Sequence, residues 1–140
     1  MTTRFAVTER TATHCSVRAG ELAVPEPVEG IVLEAQFSVG EFGLLVLSDD
    51  CPYEEILHFS LLDASLRLAD GLELGAPYTA GVFALTGFTD APGITFTFDG
   101  DALYELVIHR SPRRVLRPSI RGVRRRGGWL KPRYLELRAA

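Results

Sequence analysis

Ile94-Thr95-Phe96-Thr97-Phe98 is the cleanest alternation in the chain, with three apolar side chains on one face and two threonines on the other. A period of two is that of an extended strand half-buried against a core. Outward from it, Pro92-Gly93 reads as a turn before the strand and Asp99-Gly100-Asp101 as a reversal after it. Beyond the reversal, Ala102 to His109 returns with Tyr104, Leu106 and Ile108 on one face, and upstream Val82 to Phe88 reads as another strand.

The same style fills the first half. Ile31-Val32-Leu33-Glu34-Ala35-Gln36-Phe37-Ser38-Val39 has apolar odd positions and mostly polar even ones, which predicts a strand with one wet face. Phe42 to Leu47 follows after Gly40-Glu41, at hairpin spacing. Ile56 to Leu62 places Leu57, Phe59 and Leu61 together, Asp63-Ala64-Ser65 turns into Leu66-Arg67-Leu68, and Asp70-Gly71 reads as a further turn. Pro52 with its neighbouring acids suits a single helical turn within residues 50–57. Arg133-Tyr134-Leu135-Glu136-Leu137-Arg138 closes the chain as a last strand.

No window of twelve residues carries a helical stripe, and 13 Gly with 8 Pro oppose long helices. About eight to ten short strands at hairpin spacing make one all-β domain over residues 1–140, a mostly antiparallel β-sandwich or barrel. A propeller is excluded for a single chain, because four blades of ~40 residues exceed 140 residues. That length suffices for a core, and 46% hydrophobic with 24% charged residues is ordinary for a globular protein. No apolar run reaches the length of a membrane-spanning helix, so no membrane partner is expected. Met1 to Glu9 alternates and includes an acid, unlike a signal peptide, so the expected compartment is the cytoplasm.

Chemistry-bearing motifs are sparse. His14, His58 and His109 lie far apart, and no CxxC, HxH or HExxH spacing exists, so neither metal nor cofactor is expected. His14 and Cys15 are adjacent, but strand neighbours point to opposite faces. Cys15 and Cys51 read as plain small residues. No GxSxG elbow or Walker motif is present, and the glycines of 71–75 and 81–87 read as bulges and turns, so no catalytic residue is assigned. A Cys51–His58 pair, or a barrel-mouth pocket lined by Tyr53, His58 and Tyr104, is the minority enzymatic or small-molecule reading.

Charge is the uneven feature. Residues 1–109 hold four basic against seventeen acidic residues, a balance of −13, while residues 110–140 hold eleven against one, a balance of +10. The 110–133 connection carries nine arginines and one lysine, and the reading makes it a loop tethered between two strands, either lying on the acidic body or free for a partner. Two binding readings follow. In the first, the acidic body binds a basic protein through Asp49, Asp50, Tyr53, Glu54 and Glu55, as an immunity or inhibitor protein blocks a basic toxin or nuclease. In the second, Arg121, Arg124, Arg125, Arg126, Trp129 and Lys131 bind nucleic acid; this ranks lower because the whole chain is acidic. Free strand edges also leave room for a homodimer.

Overall fold

The computed structural model describes residues 4–49, 55–75, 81–90, 92–100, 102–113, 123–125 and 133–140. Among them there is no helix, and hence none long and apolar enough to cross a membrane. Thirteen strands are present: β1 (Phe5–Arg10), β2 (His14–Ala19), β3 (Leu22–Ala23), β4 (Val28–Glu29), β5 (Val32–Val39), β6 (Phe42–Ser48), β7 (Ile56–Leu62), β8 (Leu68–Gly75), β9 (Ala84–Thr89), β10 (Gly93–Thr97), β11 (Leu103–Arg113), β12 (Val123–Arg125) and β13 (Arg133–Ala139). The excess over the expected number comes from short pieces such as β3, β4 and β12, which carry too few residues to show a period.

The strands form three antiparallel sheets, none closed into a barrel. The central sheet runs β12-β8-β7-β6-β5; one outer sheet runs β13-β11-β10-β9; the other joins β1, β2 and β3, with β4 also paired to β2. The molecule is therefore a sandwich with a middle layer. Leu44, Val46, Leu57, Phe59, Leu61, Leu72 and Leu74 of the central sheet pack on Ile94, Phe96, Tyr104, Leu106, Ile108, Leu135 and Leu137 of one outer sheet. On its other face Leu45, Leu47 and Leu62 pack on Phe5, Cys15, Val17, Ala19 and Val28. The uninterrupted run Leu44-Leu45-Val46-Leu47 has its physical reason here, since a strand covered on both faces has no wet side to alternate toward.

The hairpins read from sequence hold. Val39 pairs with Phe42 around Gly40-Glu41, Gly40 taking a φ of 58° that suits glycine. Thr97 pairs with Leu103 across the reversal, with Ile94, Phe96 and Phe98 buried.

Other expectations are corrected. The strand read over residues 31–39 does not keep one parity: a bulge between Leu33 and Ala35 sends Leu33 to the β1–β4 side and Ala35 and Phe37 to the opposite core. The far face of β7 is not wet either, because His58, Ser60 and Leu62 lie beneath the β1–β4 sheet. Asp70-Gly71 is no turn but the interior of β8, next to a bulge opposite Leu61 and Leu62. The Asp70 carboxylate is fully buried on Arg133 and on the backbone of β13, a partner no local pattern announces. The arginine connection is not wholly loop: β11 reaches Arg113, and Val123-Arg124-Arg125 forms the β12 edge of the central sheet. Residues 50–54 of the suggested helical turn lie outside the described residues, while Ile56 and Leu57 already belong to β7.

Candidate functional site

Two places combine unusual chemistry with access to solvent. The first is built on His58. Cross-strand pairing lines up Leu47, His58 and Glu73 along β6, β7 and β8. Paired residues share a face, and here it is the face covered by the β1–β4 sheet. From that sheet β4 brings Glu29, whose following residue Gly30 turns at φ 101° directly over the row. A Cβ on Gly30 would meet Leu47 Cβ at 2.6 Å, so only glycine lets this segment approach so closely. From the end of β6 comes Asp49, held by its own N–H donating to Glu55 Oε1 at 2.8 Å.

Three carboxylates thus converge on one imidazole that is only 6% exposed. His58 Nε2 lies 2.9 Å from Asp49 Oδ1. An ionised carboxylate only accepts, so Nε2 carries the hydrogen. Nδ1 faces Glu29 Oε2 at 3.3 Å and Glu73 Oε2 at 3.5 Å, yet has no partner in hydrogen-bonding geometry. Of the described residues, Glu29, His58 and Glu73 form a group able to hold a metal ion, with ligand atoms within 4.8 Å of one another. Sequence spacing missed this group because its members come from three strands. A signal existed in the two-faced burial of β6, which implies that the polar residue beside Leu47 is also covered and needs partners.

The second place is the outer edge of β9. In the order β13-β11-β10-β9 this strand has one neighbour among the described residues. Its sequence, Ala84-Leu85-Thr86-Gly87-Phe88-Thr89, contains no charge and no proline. Phe88 is 64% exposed although its ring meets Phe37 edge-on at 5.9 Å, and Leu85 and Val82 are exposed as well. β9 carries a bulge at Thr86, and several other edges carry further protection of the kind expected at free edges. Asp70 caps β13, β12 contains two arginines, and the Gln36 amide of β5 clasps the backbone N–H and C=O of Phe5.

The residues singled out from sequence fall as follows. Asp49 donates its backbone N–H to Glu55 and meets His58 with its carboxylate, while Asp50, Tyr53 and Glu54 lie outside the described residues, as does Cys51. Arg124 and Arg125 belong to β12, beside acidic β8; Arg121, Arg126, Trp129 and Lys131 lie outside the described residues. Tyr104 and His58 do not line one pocket, because they sit on opposite sides of the central sheet. Tyr104 stacks on Phe96 and donates to Asp99 Oδ1 at 2.7 Å; burial first, then Asp99, pushes its phenol up to about 12. Clefts of about 520 and 550 Å³ flank β4, lined in part by Pro25, Leu66 and Arg67 and by Arg10, His14 and Cys15, and neither reaches His58 or Tyr104. Burial raises the Cys15 thiol, with Arg10 opposing, which is the reverse of an activated nucleophile. Comparison with protein-family models, curated proteins and solved structures finds no match.

Proposed function

We propose that this chain is a non-catalytic protein-binding domain that takes a basic protein along the β9 edge, as an inhibitor or immunity protein holds a basic toxin or nuclease. The observation that carries the reading is the uncharged, exposed β9 edge with Leu85 and Phe88 beside it. Such an edge is an open template for another strand: main-chain hydrogen bonds supply affinity and side-chain contacts supply selectivity. The −13 balance of residues 1–109 supports a basic partner, since complementary charge speeds encounter and rejects wrong partners. Asp49 and Glu55 contribute through this overall field, as their carboxylates are engaged within the fold.

The test begins with capture of the partner on the tagged full chain, followed by calorimetry with the purified pair. A basic partner, an affinity that falls with salt, and a loss of at least about tenfold in Leu85→Lys/Phe88→Lys support the reading. A purified partner that binds this variant as tightly as the wild type, or one indifferent to salt, contradicts it. A chain that only pairs with itself through β9 replaces the reading with a homodimer.

A further inference from the structure

We infer that Glu29, His58 and Glu73 form a binding site for a divalent transition-metal ion of the zinc type, and that the ion ties the β1–β4 sheet to the central sheet. His58 Nδ1 is a buried ring nitrogen with no hydrogen-bond partner. With the Nε2 hydrogen committed to Asp49, neutral His58 directs the Nδ1 lone pair at two carboxylate oxygens, all three being electron donors. A hydrogen on Nδ1 would offset charge against the two carboxylates, but no acceptor stands in hydrogen-bonding geometry to receive it. A metal cation among the three atoms would take the Nδ1 lone pair directly.

The two separations from Nδ1 agree with that occupant, and the three ligand atoms lie within 4.8 Å of one another. Nδ1 lies 3.3 Å and 3.5 Å from the two glutamate oxygens, longer than good hydrogen bonds between such groups. Metal–ligand bonds of ~2.0–2.2 Å in tetrahedral array separate the ligand atoms by roughly 3.3–3.6 Å. One imidazole nitrogen with two carboxylates is a donor set suited to zinc and its neighbours, whereas calcium and magnesium favour all-oxygen shells. Asp49 supplies the usual second layer: a carboxylate on the far ring nitrogen of a metal-bound histidine, fixing its tautomer and orientation. Glu29 and Glu73 keep partial solvent access, so an ion can enter and retain water at a fourth position.

Glu29 belongs to β4 of the outer sheet, whereas His58 and Glu73 belong to β7 and β8 of the central one. Binding therefore joins two layers and stabilises the folded chain by linkage. The site lies on the face opposite the β9-bearing sheet, so it stands or falls separately from partner binding.

The test uses the full chain, untagged and treated with chelator, titrated with Zn2+ against a chromophoric competitor. Expected are one ion per chain, at least tenfold weaker binding in Glu29→Gln/Glu73→Gln, and a 10–100-fold weakening in Asp49→Asn. Thermal unfolding should rise by roughly 8 °C when free Zn2+ reaches about 100 times Kd, and the double variant should lose that rise. Co2+ should give a visible d–d band in the wild type that the double variant lacks. Circular dichroism of the metal-free variants checks that they fold; if the double variant does not, Glu73→Gln alone must show the loss. Absence of saturable binding in the wild type, or equal affinity in wild type and a folded glutamate variant, overturns the inference.

Discussion

The Asp70 carboxylate accepts from Gly71 N at 2.8 Å, Tyr134 N at 2.8 Å and Leu135 N at 2.9 Å, with Arg133 Nη1 at 3.4 Å. It is fully buried, so it is tolerated only because donors surround it on every side the structure describes. Asp70→Asn should therefore lower unfolding free energy by about 3–5 kcal/mol, the range for breaking a buried pair. A loss below about 1 kcal/mol in urea titration would show that the carboxylate is not holding β13 to β8. Tyr104 offers a pH test. Its phenol keeps its proton to about pH 12 in the folded chain, whereas an unfolded tyrosine loses it near 10. Between those values the unfolded chain has shed a proton that the folded one retains, so stability falls as pH rises through that window. Tyr104→Phe should fall less steeply there; an unchanged slope would remove Tyr104 as the cause. Neither residue was fully legible in sequence. The alternation of Ala102 to His109 placed Tyr104 on a buried face, but Asp70-Gly71 carries the local chemistry of a turn and only a partner 63 residues away explains it.

Among the elements, strands were legible where one face met one core. β10 and the first part of β11 follow their alternation because a single layer covers them. β5 and β8 do not, since each contains a bulge that changes which face its side chains occupy. A bulge is one extra residue fitted to a neighbouring strand, and a single sequence does not show the neighbour. The same limit hid the His58 group, whose glutamates enter from β4 and β8. β9 was legible as a strand, but that it has one neighbour among the described residues follows only from strand order. The edge makes its own prediction. Leu85→Lys/Phe88→Lys should change stability by no more than about 1 kcal/mol, because the side chains are exposed and only the Phe88–Phe37 contact is lost. A larger loss in chemical denaturation would mean that β9 is held for the fold and is not spare surface for a partner.

At the scale of the molecule, two cores share one central sheet. Leu44 and Leu45 are neighbours in β6, both fully buried, yet they face opposite layers. Leu44→Ala and Leu45→Ala should each cost about 2–5 kcal/mol and shift one common unfolding transition. Two separate transitions, each answering to one substitution, would show that the layers unfold independently. The charge asymmetry also belongs to this scale. It was plain in the sequence, and the strand order adds that at least Val123-Arg124-Arg125 is paired to the acidic body through β8. The account's central claim is that a partner docks along β9. Backbone amide hydrogen exchange on the chain with and without its captured partner tests this most directly. The account predicts new protection at residues 84–89, with the central sheet little changed. Protection at β12 or around residues 49–55, with β9 exchanging as in the free chain, would contradict it.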